Sequence, residues 1–376
     1  MIIIIGGGVT GLSSAWWLAR NGHSVTVFER FIVGWEASGR NGGGATHYQS
    51  PLFHEEQRLW PMMDDLLGYP TEYQRERIVI NLTPDEEARY RHMASLTTSM
   101  GYASEELDVH QLRELAPLAS ERALSAQYFH FGGHANPQRT VQAYAWALQD
   151  QGGRIFQHTA VDGFTTANGR VTGVCAGGQT HGCDAVIIAA GPQTACLLRH
   201  FDIDLPLAAA RAEMIVTEPL PLQKLGGVDG NGLYGRQTLR GNLAYGGGPH
   251  EWLADEEFLQ PARPSTPLLC HLSARLAALF PRAAHARVIR SWAGIIENTP
   301  DGRPVLDRLA SPDNVTVATM SSVGFGLSPA TGRAVADLVT TGTCSFADIA
   351  KLGLGRFAGL PADWRAARGW APLVAA

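Results

Sequence analysis

Six residues near the start of the chain, Gly6-Gly7-Gly8-Val9-Thr10-Gly11, and the acid Glu29 carry the clearest chemical signal. Gly6 lets the chain turn tightly out of a strand. Gly8 removes a side chain, so that a pyrophosphate can approach the backbone, and Gly11 lets a helix pack close to a sheet. The free N–H groups at that helix's N-terminus then face the phosphates. Glu29 stands where an acid can accept hydrogen bonds from ribose hydroxyls. This is the chemistry of gripping a dinucleotide, and the motif alone does not choose between a nicotinamide and a flavin.

The surrounding elements position these residues. Ile2 to Ile5 is a short apolar strand that ends in the glycine turn. Leu12, Ala15, Trp16 and Ala19 fall on one helical face, and Gly22 supplies a stop. Val25 to Phe28 is a second strand, closing on Glu29. Residues 37–50, ASGRNGGGATHYQS, read as a loop, because three consecutive glycines suit neither a helix nor a strand interior. Arg40 and Asn41 add donors at its start.

Further along, Thr83-Pro84-Asp85-Glu86 and Asn136-Pro137 each place a capping residue before a proline at the first helical position. The first of these helices is expected to run to about Met100. Asn168-Gly169 between two strand-like runs signals a tight hairpin. Asp184 to Gly191 reads as a buried parallel strand closing in glycine, in the same sheet as residues 2–5. From about 206 to 300, short strands alternate with glycine and proline, interrupted by one helix near 265–280. This predicts a mostly antiparallel domain inserted into the nucleotide-binding fold, which resumes with a strand at Val315 to Ala318.

The 376 residues suffice for two domains, and 45% hydrophobic content predicts a globular protein. A net charge of −5 gives no reason to expect nucleic acid or an anionic membrane surface. No charged segment precedes the first apolar run, and no apolar stretch approaches membrane-spanning length. Cys175, Cys183, Cys196, Cys270 and Cys344 form no CxxC pair, which favours free thiols in a reducing cytoplasm over disulfides or a metal site. Lys224 and Lys351 are the only lysines.

Four blocks together choose the cofactor: GGGVTG with Glu29; SGRNGGG at 38–44; IIAAG at 187–191; and SWAGIIENTPDGRPVLD at 291–307 followed by GFGLSPATG at 324–332. Over nearly its whole length the chain resembles the D-amino-acid-oxidase-like FAD-dependent oxidoreductase superfamily, and more closely its glycine oxidase and sarcosine oxidase β-subunit branch. SGRNGGG and YGRQT (234–238) are most similar to the β-subunits of heteromeric sarcosine and opine (octopine or nopaline) dehydrogenases.

The resemblance implies an α/β (α+β) fold. A Rossmann-like, glutathione-reductase-like FAD-binding domain would comprise 1–77, 137–205 and 305–376, and a mostly antiparallel substrate-binding domain 78–136 and 206–304. It implies FAD held by Gly6, Gly8, Val9, Thr10 and Gly11; by Glu29 and Arg30; by Ser38, Gly39, Arg40, Asn41, Gly42 and Gly43; by Val161, Ala190, Gly191 and Gly294; and by Gly324, Phe325, Gly326 and Leu327. A helix starting at Ser328-Pro329 would point partial positive charge at the pyrimidine end of the ring, worth about 0.3–1 kcal/mol when exposed. Monomeric sarcosine oxidases tether FAD to a cysteine where this chain has Gly294, so noncovalent FAD is expected.

The implied reaction is oxidation of a C–N bond. A hydride passes from the substrate α-carbon to flavin N5, and the resulting imine is hydrolysed. Glycine oxidases clamp the substrate carboxylate with an arginine where this chain has Ile296. Arg236 and Arg240 are alternative clamps, since arginine matches a carboxylate bidentately; they read equally well as solvated strand charges. Tyr234, Gln237 and Tyr245 could line the same pocket. His47 could tune the flavin or bind substrate, or serve as a structural histidine. Glu297 could meet a cationic group or sit in a surface turn, and His130 and His134 read as structural.

Sarcosine oxidases also use a lysine over the ring to activate oxygen. Lys224 is the one candidate here, which favours a dehydrogenase over an efficient oxidase. Relatives of this kind often work beside a larger nucleotide-binding subunit and a small iron–sulfur subunit. A stand-alone oxidase, a non-catalytic FAD-binding subunit and a nicotinamide enzyme are the competing readings.

Overall fold

The sequence IIII at Ile2–Ile5 is apolar at every position because both faces of its strand are covered. Ile2 and Ile4 pack with the helices of one layer, including Leu12, Trp16, Tyr144 and Val335. Ile3 and Ile5 pack on the other face with Phe28, Val186 and Val317. This is the pattern of a strand central to a parallel sheet. The computed structural model describes residues 1–254 and 257–370. Residues 255–256 and 371–376, which fall in the expected segments 206–304 and 305–376, lie outside the described residues.

The first sheet has six strands in the spatial order Val305–Arg308, Val315–Thr319, Ala185–Ile188, Ile2–Ile5, Val25–Phe28 and Arg154–Phe156. All neighbours are parallel except the antiparallel edge strand Val305–Arg308. The chain leaves Ile2–Ile5 to one side for Val25–Phe28 and later returns on the other for Ala185–Ile188. A crevice therefore opens at the carboxyl ends of these strands, where ligands bind in such sheets.

The second sheet has nine strands, led by Ala208–Pro219, which pairs with Asn242–Gly247, Glu251–Trp252 and Val288–Asn298. It continues through Leu233–Gln237, Val228–Gly230, Gln74–Asn81, Ser125–His134 and Ser104–Leu107. Its pairings are antiparallel apart from Val228–Gly230 beside Gln74–Asn81. One face is buried under the helix Thr266–Leu279 through Ile78, Leu243, Tyr245, Leu276 and Phe280. A third, three-stranded sheet spans Val161–Gly182, and its first hairpin turns at Asn168 and Gly169 with φ 52° and 74°.

Local signals place the helices closely. The first helix is Val9–Arg20, with Gly22 just beyond it at φ 86°. Thr83 caps Pro84–Ser99 and Asn136 caps Pro137–Asp150. Two expectations need correction. Residues 37–50 are not all loop: Ala37–Arg40 forms a helical turn, closed when Asn41 Nδ2 donates to the Ala37 and Ser38 carbonyls. The last long helix does not start at Ser328-Pro329 but runs Gly324–Thr341, with Pro329 inside it. Proline there removes a helical N–H. The helix is held instead by packing on the first helix, where Ser13 Oγ donates to the Ser328 carbonyl at 2.7 Å and Trp17 Nε1 to the Pro329 carbonyl at 3.0 Å.

Among the described residues no helix is long and apolar enough to cross a membrane, and no group of histidine, cysteine or acidic side chains is placed to hold a metal ion. The five cysteines are unpaired.

Candidate functional site

A cavity of about 370 Å³ occupies the crevice at the strand ends. Ile5, Phe28, Ala189 and Ala318 line it, each at or within one residue of the carboxyl end of a strand of the first sheet. Gly6 turns away at φ 112°, where a Cβ would overlap the Ala189 carbonyl. Gly8 caps the first helix without a side chain, so that its N-terminus faces the cavity. Ser38 Oγ accepts from Val9 N at 2.9 Å. Glu29 closes one wall; its carboxylate accepts from Gly7 N at 2.7 Å and Phe31 N at 2.8 Å. A carboxylate has further lone pairs, so acceptor capacity remains.

The opposite wall comes from far along the chain: Ile295, Ile296 and Glu297, then Met320, Ser322, Gly324 and Phe325. Glu297 accepts from Thr319 Oγ1 and Met320 N, both at 3.0 Å. Burial raises its carboxyl above the usual range in spite of these donors. Glu36 behaves alike. Burial raises it against the Ile295 N–H and the charges of Arg40 and Arg30, and its Oε1 is buried without a partner. Burial also lowers Arg30. A glycine turn at a helix N-terminus, an acid with spare lone pairs and an orphaned carboxylate oxygen on one cavity fit the phosphates and hydroxyls of a dinucleotide.

Of the residues expected to hold the cofactor, Gly6, Gly8, Val9, Thr10, Glu29, Arg30, Ser38, Asn41, Val161, Ala190, Gly191, Gly324 and Phe325 line this cavity. Gly11 does not; a Cβ there would overlap the Gly6 carbonyl, so its part is the close packing of helix on turn. Gly39, Arg40, Gly42, Gly43, Gly294, Gly326 and Leu327 also lie outside its walls. Gly294 packs on Arg40, Gly43 on the Ala135 carbonyl, and Gly326 on His47, while Leu327 is buried in the helix core. Trp35, Glu36, Gln193, Cys196 and Ser322 line the cavity without having been expected. Trp35 and Glu36 stand immediately before the 38–44 block, so adjacency was the available signal.

The expected pocket residues separate. Tyr234 and Arg236 alternate onto the face of strand Leu233–Gln237 that meets the glycine loop, where Arg236 Nη1 donates to the Gly42 carbonyl at 2.9 Å. Gln237 and Tyr245 are corrected to structural positions. Gln237 Nε2 donates to the Pro221 and Gly241 carbonyls, and Tyr245 Oη to the Val228 carbonyl at 2.7 Å, within the core under Thr266–Leu279. Period-two alternation sends these two away from the glycine loop.

His47 is held rigidly. Its N–H and ring Nδ1 meet the Glu56 carboxylate at 3.1 and 2.6 Å, and its ring packs on Gly326. Glu56, fully buried on the helix Phe53–Leu59, carries no sequence signal. Glu297 is a cavity residue, not a surface turn. His130 meets Glu105 and Glu76, and His134 meets buried Asp229. Arg240 is exposed in the turn after Leu233–Gln237. Lys224, paired with Glu114 at 3.8 Å, and Lys351 are absent from the cavity wall.

Comparison with known proteins matches residues 1–338 to the DAO family, described as FAD dependent oxidoreductase. The chain is 29% identical over 376 residues to the glycine oxidase of Geobacillus kaustophilus, covering 95% of this chain and 97% of that one. It is 25% identical over 372 residues to the sarcosine oxidase subunit beta of Rhodobacter capsulatus, covering 95% and 88%. Its fold superposes on L-proline dehydrogenase from P. horikoshii with a TM-score of 0.85 at 22% identity, over 98% of both chains. The glycine turn, Glu29 and the distant wall at 295–325 line one cavity, and the protein belongs to the DAO family of FAD-dependent oxidoreductases.

Proposed function

We propose that this protein oxidises the C–N bond of a secondary amine or amino acid, such as an opine, an N-methyl amino acid or an imino acid, and hands the electrons to a partner subunit or other acceptor. One observation carries the reading: segments around 5–10, 28–41, 159–161, 189–193, 295–297 and 318–325 converge on a single cavity. FAD bound there supplies the two-electron acceptor for a hydride from the substrate carbon. Loss of that hydride leaves an imine, which water hydrolyses to a carbonyl compound and an amine. The protein's share is orientation. The Glu56 carboxylate fixes His47 beside Gly326, and Arg236 holds a guanidinium against the Gly42 carbonyl. We assign residues 1–77, 137–205 and 305–376 to cofactor binding and 78–136 and 206–304 to substrate binding.

Dehydrogenase behaviour is supported by the absence of lysine from the cavity wall. A larger nucleotide-binding subunit and a small iron–sulfur subunit are the partners that fit such a chain. Noncovalent attachment is part of the proposal: Cys196 is the one cysteine on the wall among the described residues, and it packs toward the cluster of Ala209, Leu253, Phe258 and Ile295. Acid precipitation should leave the flavin in the supernatant; a yellow pellet overturns this.

Anaerobic mixing of the flavoprotein with opines, sarcosine, prolines and D-amino acids tests the reaction. Bleaching of the flavin band by a secondary amine, with little peroxide in air, is the expected result. Stoichiometric peroxide from glycine or a D-amino acid establishes the stand-alone oxidase instead. No bleaching by any amine refutes the catalytic reading.

A further inference from the structure

A second cavity, of about 710 Å³, adjoins the flavin cavity; Gly34, Trp35 and Asn41 line both. Its floor is a single row across four neighbouring strands. Arg236 lies opposite Ala244, Ala244 opposite Val216, and Val216 opposite Arg290. Residues opposite one another share a face of the sheet. Two long cationic side chains therefore flank two small apolar ones, with their Cα atoms about three strand spacings, roughly 14 Å, apart. Arg240 and Arg40 complete the wall.

Among the described residues none of the four arginines forms an ion pair. The cavity wall contains no aspartate or glutamate among the described residues. Arg40 donates to the Ala293 carbonyl at 2.6 Å and stacks on Trp35, and Arg290 lies over Trp292. Each guanidinium carries five N–H groups, so most remain available. The acids that act on the cluster at longer range are held elsewhere. Glu72, which acts on Arg236, meets Asn136 and Arg139, and Glu36, which acts on Arg40, accepts from Ile295 N. Burial pulls Arg236 down to about 10, a sign that this charge lacks a close counterion. The indole Nε1 of Trp35 is buried without a partner on the shared partition. Planar guanidinium forks at separated positions suit planar carboxylates at separated positions.

We propose that this cavity is a binding site for small molecules that carry two carboxylates, one taken by Arg236 in the interior and the other by Arg240 and Arg290 at the mouth. Two sources share that chemistry. One is the distal acid of a substrate whose reacting carbon reaches past Trp35. The other is a separate dicarboxylate.

Calorimetric titration of the FAD-loaded protein with succinate and glutarate, against acetate, succinamate and inorganic phosphate at fixed ionic strength, tests the site. The dicarboxylates should bind about tenfold tighter than acetate or succinamate. Arg240→Gln and Arg290→Gln, both at exposed positions, should each weaken succinate binding by about threefold or more while leaving the flavin spectrum and Tm unchanged. Equal affinity for succinate and acetate overturns the proposal, as does phosphate matching succinate, or tight binding indifferent to both substitutions. Competition between succinate and an amine that bleaches the flavin identifies the substrate's own acid as the occupant; binding without competition identifies a separate ligand. Heat of binding is read without turnover, so failure of the oxidation chemistry and failure of this site are distinguishable.

Discussion

Glu29 joins the two functions an acid can have at such a turn. It fixes Gly7 and Phe31 by their N–H groups and keeps lone pairs toward the cavity. Hydrogen bonds to a charged group contribute about 1.5–3 kcal/mol. Glu29→Gln should therefore weaken FAD binding by roughly ten- to a hundredfold in a flavin fluorescence titration. Glu297 makes a prediction about pH. Burial raises its pKa in the folded protein above that of the unfolded chain, so between the two values folding takes up a proton. Its contribution to stability is full below the unfolded value and is lost as pH rises through the raised one. In urea titrations of the FAD-free protein, Glu297→Gln should flatten the decline in stability across that window; an unchanged slope would refute the assignment. At this scale the sequence was legible where type and spacing state a task, as at Gly6, Gly8 and Glu29. It was not legible at Glu56, whose carboxylate matters only because the fold buries it beside His47. Gln237 was misplaced although strand alternation from Arg236 contained the answer; Tyr245 was misplaced because only the fold sets its pairing opposite Gly235.

The elements that grip the site meet through missing side chains. A Cβ on Gly332 would run into the backbone and hydroxyl of Ser13, so the last long helix crosses the first at near contact. Gly332→Ala should force the helices apart and cost about 1–3 kcal/mol in chemical denaturation, since overpacking of a closed interface is not relieved locally. Because both helices begin at the cavity, the same variant should release flavin at lower temperature. The start of that last helix was misread at Ser328-Pro329 because proline after a polar residue is the usual opening sign. Here packing on the first helix overrides local propensity and carries the helix back to Gly324. The strand Val288–Asn298 shows a similar dependence on its surroundings. Its backbone is held by Arg40 at the Ala293 carbonyl and by Glu36 at Ile295 N, so residues beside the glycine loop cover a strand edge of the second sheet. An exposed edge invites pairing with other chains, and this coverage blunts it.

At the scale of the whole molecule, one buried ionic group ties several strands of the second sheet to the glycine loop. Asp229 receives Arg77 at 2.9 Å, the Gly235 N–H at 3.0 Å and the His134 ring, and His134 lies opposite Gly44 of the glycine loop. Burial alone would raise Asp229, but Arg77, His134 and Gly235 outweigh it and hold its carboxyl below the usual range. Such stability is present above the ordinary aspartate pKa and is lost as pH falls toward the depressed value. Asp229→Asn leaves Arg77 as an uncompensated buried charge and should cost about 3–5 kcal/mol in urea unfolding at neutral pH, with the difference from the parent protein shrinking in acid. The long-range architecture was legible because apolar runs closing in glycine recur at 2–6 and 185–191. The Asp229 junction was not, since its members are scattered through the chain.

The scarcity of lysine has a consequence for handling the protein. Lys224 and Lys351 supply the only side-chain amines, and neither borders the flavin cavity or the arginine cavity. Coupling to an electrode or resin through those amines therefore leaves the walls of both cavities chemically untouched.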